Sequence, residues 1–174
     1  LRPHAAVADP IVVRDVPAEV AELAESIVQN RFDGSTLSAV VGPEGLRLSL
    51  DGAVTVDDPT VEAALLADPT AQAIDWGFTP EGETVFLTLD ERLHDLAGST
   101  AITSTEQIGL DQALAVGDPV GNLAEVFPDA HVVEYHFSGT SSTGGHDWAS
   151  VRLVIDVSGG DPVLLAIVED AGPA

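Results

Sequence analysis

Leu50-Asp-Gly-Ala-Val-Thr-Val-Asp-Asp-Pro59 returns later in the chain as Leu110-Asp-Gln-Ala-Leu-Ala-Val-Gly-Asp-Pro119, with six of the ten positions identical. The match continues, one residue shorter, from Pro69-Thr-Ala-Gln-Ala-Ile-Asp-Trp-Gly-Phe78 to Pro128-Asp-Ala-His-Val-Val-Glu-Tyr-His-Phe137. Val85, Leu87, Leu89 and Asp90 then answer Val151, Leu153, Ile155 and Asp156, and Ala101-Ile102 answers Ala166-Ile167. A duplicated unit of this kind predicts an organisation of 1–34 (tether and helix), 35–103 (first repeat) and 104–174 (second repeat). Units this short bury too little surface to be stable alone, so the copies are expected to share one compact core.

Working outward, Pro17–Arg31 predicts a helix lying outside the duplication, with Val20, Leu23, Ala24, Ile27 and Val28 on one stripe. Thr36–Val41 and Leu46–Leu50 flank the turn Gly42-Pro-Glu-Gly45 and predict a hairpin. Asp58-Pro59 and Asp118-Pro119 each predict a helix start, an Asp cap followed by Pro at the first position, for helices at Pro59–Ala67 and Pro119–Phe127. Strict alternation then predicts strands at 72–78 and 131–137, followed by strands at Thr84–Asp90 and Ser150–Val157. Pro162–Glu169 predicts a final strand, and Leu96–Ile102 its poorer counterpart. The expected fold class is α+β: two fused helix-plus-antiparallel-meander repeats with an extra N-terminal helix.

Composition narrows the function. The 174 residues hold 29 Asp and Glu against six Arg and no Lys, for a net charge of −23. With no basic surface to neutralise phosphates, nucleic acid is excluded as an expected partner, and an anionic membrane surface is disfavoured. The acids are spread evenly, which reads as general solvation; a basic protein or a divalent cation stays open as a partner. Cys is absent, so there is no disulfide framework and no thiolate nucleophile. No apolar run reaches the length of a membrane span, so no membrane insertion by this segment is expected. The chain begins Leu1-Arg-Pro-His-Ala-Ala-Val-Ala-Asp-Pro10, without Met, and reads as a tether following a removed leader; a secreted or envelope-anchored location is the expectation.

Val116-Gly-Asp-Pro-Val-Gly-Asn-Leu-Ala-Glu-Val-Phe-Pro-Asp-Ala130, a turn, a short helix and the entry to a strand meander, resembles the repeat unit of the β-lactamase-inhibitor-protein-like superfamily. The small lipoproteins of outer-membrane assembly share a related unit, and the chain is also similar to envelope lipoprotein ectodomains of high-GC Gram-positive bacteria. The resemblance covers roughly residues 46–170. It implies a non-enzymatic, surface-presenting role. The inhibitor family usually carries two helices and a disulfide per repeat, whereas this sequence shows one clear helix per repeat and no Cys, and no inhibitory contact residue can be placed on a matching position.

Candidate chemistry concentrates where the copies differ. The first crosses between strands in Thr79–Thr84; the second takes Ser138–Ser150, seven residues more. His146, Asp147 and Trp148 give this loop groups to hold a partner with, the bland alternative being a solvated loop whose Trp packs back on the sheet edge. His136 and Glu134, on the strand face taken to be outward, join these three as candidate binding residues. With His146 or Asp147 they could assemble a weak metal site, whereas His131 and His136 point to opposite faces and would not share one; no metal and no cofactor are expected. His131 reads as a structural histidine. Ser141, His146 and Asp147 lack the nucleophile elbow and oxyanion loop of a hydrolase, and no phosphate-binding glycine motif is present. The expectation is a non-catalytic, extracytoplasmic binding or structural module whose partner is another protein, met through the exposed sheet and the 138–150 loop. Two alternatives stay open: a metal-dependent or hydrolytic enzyme at that loop, and a carrier of small apolar ligands lined by Trp76, Tyr135 and Phe137.

Overall fold

The structure, a computed structural model, describes residues 15–49, 52–55, 58–78, 83–115 and 122–172. In chain order the elements are α1 (Ala18–Gln29), α2 (Gly34–Ser38), β1 (Leu46–Ser49), β2 (Thr60–Val61), α3 (Ala63–Ala67), β3 (Ala73–Phe78), β4 (Thr84–Thr88), α4 (Leu89–Gly98), α5 (Thr100–Thr103), β5 (Gln107–Leu110), α6 (Leu123–Val126), β6 (His131–Phe137), β7 (Ala149–Asp156) and β8 (Val163–Ala171). The chain is α+β. Six strands form a mixed sheet in the order β2-β1-β8-β7-β6-β5, and β3–β4 form a separate hairpin. All pairs in the large sheet are antiparallel except β1 with β8, where Arg47, Leu48 and Ser49 run parallel to Ala166, Ile167 and Val168.

α1 forms as its stripe predicts: Val20, Leu23, Ala24 and Ile27 are buried, and the helix packs on β6. Arg31 N–H donates to Val28 O and Phe32 N–H to Ile27 O, closing the helix with Arg31 and Phe32 both at positive φ. One hydrophobic cluster joins α1, the β3–β4 hairpin and α4–α5 to one face of the sheet, through Trp76, Leu93, Val133, Tyr135, Leu153 and Ile167 among others.

Three expected elements differ. Thr36–Val41 is not a strand: Asp33 accepts a hydrogen bond from Thr36 N at 3.1 Å and starts α2. Only Val41 retains strand character, as a single bridge to Leu164. Pro59–Ala67 opens as strand β2, with Val61 buried against β1, before turning into α3; the Asp58 carboxylate reaches back to Thr55 N instead of capping forward. Leu89–Gly98, divided between two predicted strands, is helix α4. Thr88 and Glu91 close a capping box there, the Thr88 side chain accepting from Glu91 N and the Glu91 carboxylate from Thr88 N.

These changes remove the two-meander architecture. Apart from β2, which has no described counterpart, β1, α3, β3 and β4 follow the same order as β5, α6, β6 and β7, but β6–β8 form a three-stranded meander where the first half has one hairpin followed by helices. Asp118-Pro119 and Val120 lie outside the described residues.

The opposite face of the sheet is covered too. Leu123, Val126, Phe127, Ala130 and Val54 pack there on Val132, Val154, Ala166 and Val168. Asn122 fastens this cover, accepting from Val54 N at 2.8 Å and donating to Val54 O at 2.6 Å. Every side chain in the middle of β6 and β7 is therefore buried, whichever way it points.

Candidate functional site

On the second face, beyond its apolar patch, two cross-strand pairs bring polar side chains together. Glu134 stands opposite Arg152 and His136 opposite Ser150 in the β6–β7 register, and Asp170 stands opposite Ser150 on β8. Glu134 and Arg152 are fully buried, and His136 and Ser150 nearly so. The expectation that Glu134 and His136 face solvent is thus corrected: they share the face predicted, but the segment before β6 roofs it. Leu114 N–H donates to Glu134 Oε2 at 2.7 Å, and Gly109 leaves space for that segment to pass.

The Arg152 guanidinium lies 3.2 Å from both Glu134 Oε1 and Asp170 Oδ2. Its Nη1 hydrogen-bonds Asp170, whereas Nε, Nη2 and Glu134 Oε1 lie off the line of any hydrogen bond. The attraction to Glu134 is thus purely Coulombic and needs the water-excluded setting to matter. His136 Nδ1 lies 2.8 Å from Ser150 Oγ, and Trp148 tilts over the imidazole with ring centroids 6.2 Å apart. Burial holds the His136 pKa below its usual 6.5; Glu134 and Glu106 oppose that effect and Arg152 adds to it. This Ser–His contact is buried at the loop end of the β6–β7 hairpin beside Trp148, and Glu134 faces Arg152. The arrangement is that of a packed cross-strand pair, not of a nucleophile oriented toward a substrate.

Asp147 and His146 do not join this cluster. The Asp147 carboxylate accepts from Thr143 Oγ1, from Thr140 N at 2.7 Å and from Thr140 Oγ1 at 2.9 Å, stapling the 138–148 loop to itself. Those hydrogen bonds, the Thr143 hydroxyl first, hold its pKa at about 2 against the usual 3.8. His146 is exposed on the loop. The loop's near end is tied by Ser138 N–H to Glu106 at 3.2 Å, and its far end by Gly172 N–H to Trp148 O at 2.9 Å. A side chain at Gly172 would strike the Trp148 ring and His146 O, so the closure needs glycine there. Among the described residues no group of three or more His, Asp or Glu is placed to hold a metal ion.

Of the five candidate residues, Glu134, His136 and Trp148 gather in one place; His146 and Asp147 belong to the loop's own framework. Arg152, Ser150 and Asp170 were missed. Arg152 is the only Lys or Arg after Arg92, and it interrupts Val151-Arg-Leu-Val-Ile155. Pairing the two strands around the long loop would have set it against Glu134. His131 is the structural residue expected, its Nδ1 2.8 Å from Asp111 Oδ2, with Asp111 also accepting from Val132 N. Trp76 and Tyr135 are packed in the main core, Trp76 donating to Leu87 O at 3.0 Å, and burial pushes the Tyr135 hydroxyl up to about 12. A cleft of about 360 Å³ lies elsewhere, between Asn30–Ser35, Leu66–Pro69 and Asp90–His94, and none of Trp76, Tyr135 or Phe137 lines it.

No protein-family model matches the chain, and no curated protein matches it. Among solved structures, it is similar to a Xanthomonas campestris protein provisionally described as a calcium/calmodulin dependent protein kinase II association domain. The two share 10% sequence identity with a TM-score of 0.40, over 98% of this chain and 97% of that one. The likeness carries no residue and no role over to this chain. No described helix is long and apolar enough to cross a membrane.

Proposed function

We propose that the chain is a non-catalytic, extracytoplasmic binding or structural module whose partner is another protein. The observation that carries this reading is the construction of the 138–148 loop. It is polar and largely exposed, yet its backbone is held by Asp147, Thr140 and Thr143 and anchored at both ends. A loop ordered before it meets a partner loses little freedom on binding, which favours recognition over a role as a slack connection. Both faces of β6–β8 are covered, so these strands offer a partner only their edges and this loop. The buried Glu134, Arg152, His136 and Ser150 then serve as the rigid floor beneath the loop.

The recurring order of strand, helix and two strands also supports descent from one duplicated unit, the relation shared with the β-lactamase-inhibitor-protein-like repeats. The second copy kept the meander and gained the loop.

The test replaces the 138–150 connection with one of the length of Thr79–Thr84 in the full-length protein of the producing cell, followed by cross-linking and identification of bound proteins. Loss of the wild-type partner by a variant that still unfolds in a single cooperative transition is the expected result. The same partner recovered at the same yield would refute the loop's role, and fractionation of the full-length protein with the cytoplasm would refute the location.

A further inference from the structure

We infer that the outer edge of β5 is a docking site for an extended, basic segment of a partner protein, which would add as a further strand to the sheet. This inference rests on the protein-binding reading above and names the chemistry of the partner.

The two ends of the six-stranded sheet are built differently. At one end β2 contributes only Thr60 and Val61, directly preceded by Pro59, which has no N–H to offer a neighbour. Shortness and proline are ways in which proteins blunt a sheet edge. At the other end β5 reads Gln107-Ile-Gly-Leu110, with no proline, no positive charge and no strand beyond it among the described residues.

Its pairing fixes which groups are on offer. Asp111 N–H donates to Val132 O, in line with the register Leu110↔Val133, Gly109↔Glu134, Ile108↔Tyr135 and Gln107↔His136. Antiparallel pairing alternates between residues that bond the neighbour and residues that face away. Asp111, Gly109 and Gln107 thus bond β6, and the N–H and C=O of Ile108 and Leu110 face outward. Ile108 also leaves its side chain 47% exposed, one of two large apolar side chains so placed among the described residues.

Charge decides the occupant. A second copy would bring its own net charge of −23 to the contact. The chain has no Lys for the usual edge guard, and two of its six Arg are engaged in ion pairs, part-buried Arg92 with Glu169 and buried Arg152 with Glu134 and Asp170. These pairs engage three acids with the two Arg, so the remainder of the chain stays strongly negative. It repels like copies and attracts Lys- or Arg-rich chains at long range. Strand addition supplies backbone hydrogen bonds, and alternate side chains of the guest meet Ile108 on one side and solvated acids such as Glu106 on the other.

The experiment uses the whole chain and a labelled synthetic peptide alternating Lys with Val, with a Glu-for-Lys peptide as control. Binding is read by fluorescence polarisation and by amide hydrogen exchange. The expected result is binding of the Lys peptide alone, with slowed exchange at Ile108 and Leu110. Ile108→Pro removes an outward N–H without touching the ladder to β6, and Ile108→Lys keeps the backbone but guards the edge. Each should weaken the peptide by about tenfold or more. Equal binding by both folded variants would show attraction spread over the acidic surface and overturn the inference, as would unchanged exchange at the two amides. Protection that grows with protein concentration without peptide would assign the edge to a second copy and overturn it too. The loop-shortened variant separates the two readings. If it loses its cellular partner while the wild type ignores the peptide, the binding module stands and the edge does not.

Discussion

Replacing Arg152 with Met should be among the most damaging single changes in the chain. The side chain is fully buried, and it is the counter-charge to Glu134, which is also fully buried and otherwise keeps one hydrogen bond, from Leu114 N. Removing one partner of a buried ion pair leaves a carboxylate uncompensated away from water, at about 3–5 kcal/mol. Asp170 adds little to this, because its side chain is 20% exposed and can recover water. The Glu134–Arg152 contact is not a well-aligned hydrogen bond, which places the expected loss near the lower end, at about 3 kcal/mol. For a chain of this size that lowers the melting temperature by roughly 6–12 °C. Urea unfolding of Arg152→Met, Glu134→Met and the double variant gives the free energies directly. The double variant removes both charges and should recover most of the loss, since an apolar pair of similar volume is neutral or better in such a setting. A single variant within about 1 kcal/mol of wild type, or a double variant as unstable as the worse single, would refute the claim that the pair is held by burial.

Gly34→Ala should cost about 1–3 kcal/mol, because a Cβ there runs into Leu66 O where α2 crosses α3; an unshifted thermal transition would show that the two helices can part. Asp147→Asn should destabilise the chain at neutral pH and do so less on acidification. The folded carboxyl titrates at about 2 against an ordinary 3.8, so its contribution is complete above 3.8 and lost as pH falls toward 2. A difference between Asn and wild type that stays constant across that window, by thermal unfolding, would contradict the staple. Raising NaCl from about 0.01 M to about 1 M should raise the melting temperature, since screening shortens the reach of self-repulsion. A lower melting temperature in high salt would mean that attractive pairs outweigh the net charge of −23.

The sequence was most informative where neighbours along the chain decide the outcome. Alternation placed Val133 and Tyr135, then Val151, Leu153 and Ile155, on one buried face, and helical spacing placed Val20, Leu23, Ala24 and Ile27. Two elements were misread because local signals competed. Val85, Leu87 and Leu89 alternate like a strand, but the Thr88–Glu91 capping box starts a helix at Leu89. The β-prone Thr36 and Leu37 fall in the helix that Asp33 begins. Both caps are visible as residues and were outweighed by hydrophobic pattern. The site failed for a different reason. Glu134 and His136 looked exposed because a half-buried strand was assumed, and nothing local to β6 announces that Val54, Leu114 and the 122–130 segment close over that face.

The parallel pairing of Arg47–Ser49 with Ala166–Val168 joins the first described strand to the last, over a hundred residues later. While the chain is still being synthesised, β1 has for company only the two residues of β2, too little sheet to persist in water. The central ladder cannot close until Val163–Ala171 leaves the ribosome, so the first half has no complete fold to adopt in advance. Contacts so far apart in sequence make for slow closure, on the millisecond-to-second scale typical of non-local β topologies. β8 is then the keystone of assembly: a truncation before Val163 strands β1 from the rest of the sheet.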